Sequence, residues 1–277
     1  MPLAKIIKSP LSHRTSVHYF ADLETAPFDV ADYSRMKFGS ALVAKRFGEE
    51  MANHFFHHNY TDLVSNQCVV IPAPSTTVPV AATLLSHHFM NCINKLLAEG
   101  GHQPVEWSMV HRNMTYNNNY ADLPKEERKK LLEVDSIYFN RDFVAGKFLI
   151  FVDDCSITGT HEDKISSYLS NAGMDNDHSF VCFAQYTGGD PSIEMRLNHT
   201  EIKDAHDLVE LSHQKDHRVT TRSLRLLLEH SEKDFENLLK SASNRFINES
   251  LNNAIVKGYN THPAYVRNFE ILNNYAQ

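Results

Sequence analysis

The chain has 277 residues, enough to bury a full core in one large domain or in one domain with an appendage. With 42% hydrophobic and 22% charged residues and a net charge of -7, it reads as an ordinary globular protein and not as a general polyanion binder. No nucleic-acid partner is therefore expected, and the absence of about 18 consecutive apolar residues predicts no membrane span.

The N-terminus reads as a leader over 1–32. It carries no signal-peptide pattern and one short strand at Ser16 to Phe20. Phe38, Leu42, Phe47, Met51 and Phe55 then recur at helical spacing between Tyr33 and Phe56. Gln67 to Ile71 is a short apolar run stopped by Pro72-Ala73-Pro74, which predicts a buried strand entering a loop. A second helix follows over Val80 to Leu97, closed by Gly100-Gly101, and Val105 to Val110 reads as a strand.

A polar stretch leads to Asp122-Leu-Pro-Lys-Glu-Glu-Arg128, where proline and acids in a first turn predict a short helix over Pro124 to Glu133. Phe148 to Val152 is the most apolar run in the chain. Glu162 to Asn171 predicts a helix ending at Gly173, and Phe180 to Gln185 another buried strand. The alternation of strands and helices points to an α/β fold, a mostly parallel sheet flanked by helices over 33–214. A helical appendage is expected over 215–277. It holds a capping box at Ser231-Glu-Lys-Asp234 and continuous helical spacing from Phe235 to Gly258.

Cys68, Cys92, Cys155 and Cys182 lie far apart without C-x-x-C pairing, which suits reduced thiols in a cytoplasmic protein. The 17 histidines include the neighbours His57-His58 and His87-His88, which on a helix point about 100° apart and do not face one metal. No ligand spacing of the H-E-x-x-H kind is present, and most of the histidines read as surface residues.

The chemistry is concentrated in Phe148-Leu-Ile-Phe-Val-Asp-Asp-Cys-Ser-Ile-Thr-Gly-Thr160. An apolar strand ends in two acids, and a hydroxylic loop containing glycine opens a helix. Ligands of open α/β sheets bind at the carboxyl ends of strands. A helix N-terminus reached through a Gly/Thr loop offers backbone N–H groups to a phosphate. Adjacent carboxylates suit sugar hydroxyls or a hydrated divalent cation. The pattern thus suggests a sugar phosphate, its phosphate in the Thr158–His161 loop and its diol near Asp153 and Asp154.

This stretch resembles the phosphoribosyl pyrophosphate (PRPP) signature of the type I phosphoribosyltransferases. In that resemblance Asp153 and Asp154 are the catalytic acids and hold Mg²⁺ through water or PRPP, while Ile157, Thr158, Gly159, Thr160 and His161 bind the 5′-phosphate. Val69-Val-Ile-Pro-Ala-Pro-Ser-Thr-Thr-Val-Pro-Val-Ala-Ala82 resembles the family's pyrophosphate loop, with Ala73, Pro74, Ser75, Thr76 and Thr77 in that role. Tyr33-Ser-Arg-Met-Lys-Phe-Gly39 is similar to a segment upstream in several members, where Lys37 or Arg35 could reach phosphate or serve as a helix-entry charge. The stretch from Val110 to Asn140 lies where the family has its hood, with Arg112, Tyr116, Lys125 and Arg128 as candidates to neutralise pyrophosphate.

The resemblance implies transfer of ribose 5-phosphate from PRPP to a nitrogen acceptor, with release of pyrophosphate, and often a homodimer. Three positions depart from the pattern: Ile157 where purine-type members often carry an acid, His161 where Thr is common, and Thr77 where Gly is common. They leave the acceptor open, and they leave open a non-catalytic PRPP or nucleotide sensor acting through the appendage. The appendage itself could pack, dimerise, cover the site or bind a partner.

Overall fold

The computed structural model describes residues 12–75, 77–112, 137–138 and 140–276, without the side chains of Arg112 and Ile137. In chain order the strands are β1 (Ser12–Phe20), β2 (Cys68–Pro72), β3 (Glu106–Trp107), β4 (His111–Arg112), β5 (Ile137–Tyr138), β6 (Phe148–Ser156) and β7 (His178–Tyr186). The helices of the first two thirds are α1 (Val30–Lys37), α2 (Ala41–His58), α3 (Tyr60–Ser65), α4 (Ala81–Glu99), α5 (Arg141–Val144) and α6 (Thr160–Asn171). Those that follow are α7 (Ile193–Asn198), α8 (Ala205–Ser212), α9 (Thr221–Leu228), α10 (Glu232–Ser241), α11 (Asn244–Val256) and α12 (Val266–Tyr275).

Five strands form one parallel sheet in the order β1-β7-β6-β2-β3, the α/β architecture expected from the alternation. Strand period explains the apolar runs. Val70, Ile150 and Val152 face a core made with α2 and α4, which includes Phe47, Phe89 and Phe183. Val69, Ile71, Leu149 and Phe151 face the other side, against Ile165 and Leu169 of α6. A strand covered on both faces has no solvent side on which to alternate polar residues.

From β2 the chain crosses through α4 to β3 on one side, and from β6 through α6 to β7 on the other. Loops that leave neighbouring strands in opposite directions open a crevice between them, at the carboxyl ends of β2 and β6.

Several element boundaries differ from the reading of the sequence. The strand expected at Ser16 to Phe20 begins at Ser12 and pairs along β7 from Ser12↔His178 to Phe20↔Tyr186, forming an edge of the sheet. Its first residues are exposed, so apolar patterning did not mark them. The helix expected over Tyr33 to Phe56 is two helices, broken at Gly39 with φ 112°, after which the Ser40 hydroxyl caps α2. The pattern from Phe235 to Gly258 is likewise split, Ser243 capping α11. Ser231 does precede α10, but its side chain makes no capping hydrogen bond among the described residues. The Asp234 carboxylate accepts from Asn237 at 3.2 Å instead. Only Glu106 and Trp107 pair as a strand within Val105 to Val110, and the helix expected over Pro124 to Glu133 lies outside the described residues.

The helices after β7 build a second core from Ile202 to Leu272, into which Phe38 of the first region inserts. A short segment joins it to the sheet region. Arg218 N–H donates to the Gly39 carbonyl (2.9 Å), a His217 ring nitrogen to that of Phe38 (3.0 Å), and the Thr220 hydroxyl to that of Lys37 (3.2 Å). Thr221 N–H bonds the Pro79 carbonyl at 2.9 Å. No helix among the described residues is long and apolar enough to cross a membrane.

Candidate active site

A cavity of about 790 Å³ opens in the crevice between β2 and β6. Its floor is the end of β6. The strand does not stop at Val152 but keeps pairing with β7 as far as Ser156↔Gln185, so Asp153 and Asp154 still alternate across the sheet. Asp154 turns to the side of α1, where the Lys37 Nζ donates to its Oδ2 at 2.6 Å. That pair is nearly enclosed, with side-chain exposures of 13% and 7%, so it acts in a low-dielectric setting. Asp153 turns to the side of α6. Its Oδ1 accepts the Asp154 N–H at 2.8 Å, and its Oδ2 lies 2.9 Å from His161 Nδ1. Tyr33, fully buried beneath Lys37, has its phenol pushed up by burial and then by the nearby charges of Asp154 and Asp153. Burial and Asp154 likewise push the Cys155 thiol up, so it is a packing residue and not a thiolate nucleophile.

The loop after β6 ends at Gly159, with φ 72°, as the N-cap of α6. The left-handed backbone favours glycine. A glycine cap also carries no side-chain oxygen to satisfy the first N–H groups of the helix, which leaves them for a ligand. The Thr158 and Thr160 hydroxyls meet at 2.7 Å over this turn. Ile157, Thr158, Gly159, Thr160 and His161 all line the cavity, as do Ala73, Pro74 and Ser75 across from them.

The second loop presents no free amide at its first two residues. Ala73 N–H is bonded to the Val152 carbonyl at 2.9 Å, and Pro74 has no N–H. What it does offer is the Ser75 hydroxyl, buried and without a hydrogen-bond partner among the described residues. Thr77 is exposed and lies outside the cavity lining. Thr76, Tyr116, Lys125, Arg128 and the side chain of Arg112 lie outside the described residues. Of the two upstream basic residues, Lys37 lines the cavity, whereas Arg35 is paired with Asp32 (2.8 Å) and Glu201 (2.5 Å).

The opposite wall was not read from the sequence at all. Arg222, Arg225, Glu229, Lys257 and Tyr259 reach the cavity from the second core, and Glu194 reaches it from α7, which packs on the first. Arg222 lies 3.9 Å from Glu194, a loose pair, whereas Arg225 Nε contacts the Tyr259 hydroxyl at 3.5 Å. The Tyr265 hydroxyl donates to Glu229 at 3.1 Å, and burial followed by that carboxylate holds its phenol above the ordinary range. The available signal was Thr221-Arg-Ser-Leu-Arg225, a helix start with two arginines on one face, but nothing in it indicates what that face meets.

The carboxylates of Asp153 and Asp154 are the hard oxygen donors that Mg²⁺ prefers. Since Lys37 and His161 already occupy their outer oxygens, these residues fit a cation met through water more readily than one bound directly. No curated protein matches the chain. The profile of the PRTase ComF-like family matches it over residues 11–272, which includes both walls of the cavity.

Proposed function

The chain belongs to the PRTase ComF-like family, and from that premise we propose that it transfers ribose 5-phosphate from PRPP to a nitrogen acceptor, releasing pyrophosphate. One observation carries the reading: a carboxylate pair at a strand end shares a cavity with a glycine-capped helix N-terminus. In this reading the first N–H groups of α6 and the Thr158 and Thr160 hydroxyls hold the 5′-phosphate, because they offer donors to an anion at the positive end of a helix. Asp153 and Asp154 hold the ribose hydroxyls, oriented by His161 and Lys37. The Ser75 hydroxyl and Lys37 lie toward the pyrophosphate. Mg²⁺ arriving with PRPP would neutralise charge on the departing pyrophosphate. The protein's task is chiefly to hold the reactants in line and stabilise developing charge. Arg222, Arg225 and Lys257 of the opposite wall suit an acceptor that carries negative charge.

The sensor reading has its own support. Ala73 and Pro74 present no free amide to a leaving group, so two of the positions that the resemblance assigns to pyrophosphate supply no backbone donor. Calorimetric titration with PRPP and Mg²⁺, followed by pyrophosphate release against a panel of nucleobases and acidic heterocycles, separates the two. Binding that is lost in Asp153→Asn/Asp154→Asn, together with turnover, is expected. Binding without release from any acceptor would favour the sensor, and no binding would overturn both.

A further inference from the structure

We propose that His206, His230 and Asp234 form a binding site for a divalent transition metal of the Zn²⁺ class, separate from the cavity and independent of the reaction assigned to it. His206 lies in the first turn of α8, His230 between α9 and α10, and Asp234 in the first turn of α10. One ligand atom from each lies within 4.8 Å of the others. Both histidine Nε2 atoms are 3.7 Å from the same oxygen, Asp234 Oδ2. That is too long for a hydrogen bond. A tetrahedral zinc with bonds of about 2.0–2.1 Å sets its ligand atoms about 3.3 Å apart, so small side-chain rotations close the site.

Three further observations favour a metal over an ordinary surface ion pair. His230 Nε2 is buried and finds no hydrogen-bond partner among the described residues, a costly arrangement unless something else occupies its lone pair. The backbone that carries it is pinned, because buried Asn268 donates to the carbonyls of Leu228 (2.9 Å) and His230 (2.7 Å). Asp234 does not complete a capping box for α10; its carboxylate is turned by Asn237 toward the two rings. Two imidazoles and one carboxylate on three separately anchored elements make an N/N/O donor set, with a fourth position left for water. Bound there, the ion would tie α8 and α10 to the segment that follows Glu229, a residue of the cavity wall.

The test is calorimetric titration of the full chain with Zn²⁺ alone at neutral pH, beside His206→Ala and Asp234→Asn. Because the chain has 17 histidines, His57→Ala/His58→Ala serves as the control. One equivalent is expected to bind, at least tenfold more weakly in each of the two site variants and unchanged in the control. Zn²⁺ should also raise the melting temperature of the parent chain and not that of His206→Ala, whose exposed ring can be removed without unfolding the helices. No binding by the parent chain, or binding that both site variants retain, would overturn the assignment.

Discussion

The two walls of the cavity are built on different principles. The sheet wall is made by backbone: a strand that carries Asp153 and Asp154 near its carboxyl end, a glycine with φ 72°, and the opening turn of α6. Its donors are fixed by main-chain geometry and need only short side chains. The helical wall consists of long side chains, Arg222, Arg225 and Lys257, carried by helices with their own core. It meets the first wall through the hydrogen bonds of residues 217–221, the contacts of Ser34 and Arg35 with Glu201 and Ile202, and the inserted Phe38. A fixed wall suits a constant ligand such as a sugar phosphate, and a wall of long side chains suits the part of the reaction that varies, the acceptor.

Breaking the sheet wall should have the largest effect. On the proposed reading Asp153→Asn/Asp154→Asn removes two charged acceptors of the ribose hydroxyls, each worth about 1.5–3 kcal/mol, so PRPP affinity or turnover should fall at least on the order of a hundredfold. Titration and pyrophosphate release measure it, and circular dichroism should show the fold retained. Retention of full activity would remove the functional role of this wall.

Breaking the joint comes next. A Cβ at Gly39 would lie 2.0 Å from the Arg218 carbonyl oxygen, at a φ of 112° that other residues rarely adopt. Gly39→Ala should therefore cost about 3 kcal/mol in denaturant melts, because backbone on both sides of the joint must shift. Unchanged stability would mean that the two cores do not depend on this contact.

The sequence made the sheet wall legible because Phe148 to Thr160 is one unbroken stretch whose burial, charge and turn chemistry agree. The direction of each acid was less legible. Whether Asp153 and Asp154 share a face depends on where β6 stops, and pairing with β7 carries it to Ser156. The helical wall was illegible for a different reason. Its residues are spread from Glu194 to Tyr259, on or just after helices whose pattern reveals an apolar face but not which neighbour that face meets. The histidine-aspartate cluster was missed because His230 and Asp234 are four residues apart but His206 comes from a separate helix, and no spacing relates it to them. Gly39 shows the limit at short range: apolar spacing runs straight through it, and only the left-handed turn breaks the helix.

The joint should also respond to pH. His217 is fully buried, and burial lowers its ring to about 4 despite the Phe38 carbonyl, with Arg245, Asp216 and Arg218 nearby. Its folded pKa is below the ordinary 6.5, so the unfolded chain binds the proton more readily. Stability from this group is present above pH 6.5 and is lost as pH falls toward 4. The loss is on the order of 3 kcal/mol over that window. Melting temperatures across pH 4–7 should fall less steeply in His217→Gln than in the parent chain, whatever the absolute stability of the variant. Parallel slopes would show that another group sets the acid limit.

The smallest effect is expected on the helical wall, and it sharpens the comparison most. Arg222 is the natural probe, since its contact with Glu194 at 3.9 Å is loose and its side chain is 39% exposed. A surface pair of that kind contributes little to folding. Arg225 is less suitable because it is bound up with Tyr259. Arg222→Gln should raise the KM for an anionic acceptor about tenfold, the loss of one charge-assisted hydrogen bond. Its affinity for PRPP, titrated without acceptor, should stay within about twofold if the sheet wall alone holds the donor. Should PRPP affinity fall instead, with acceptor KM unchanged, Arg222 would face the pyrophosphate. The cavity would then be one phosphate-binding surface drawn from both cores, and the acceptor would have to be sought among neutral compounds.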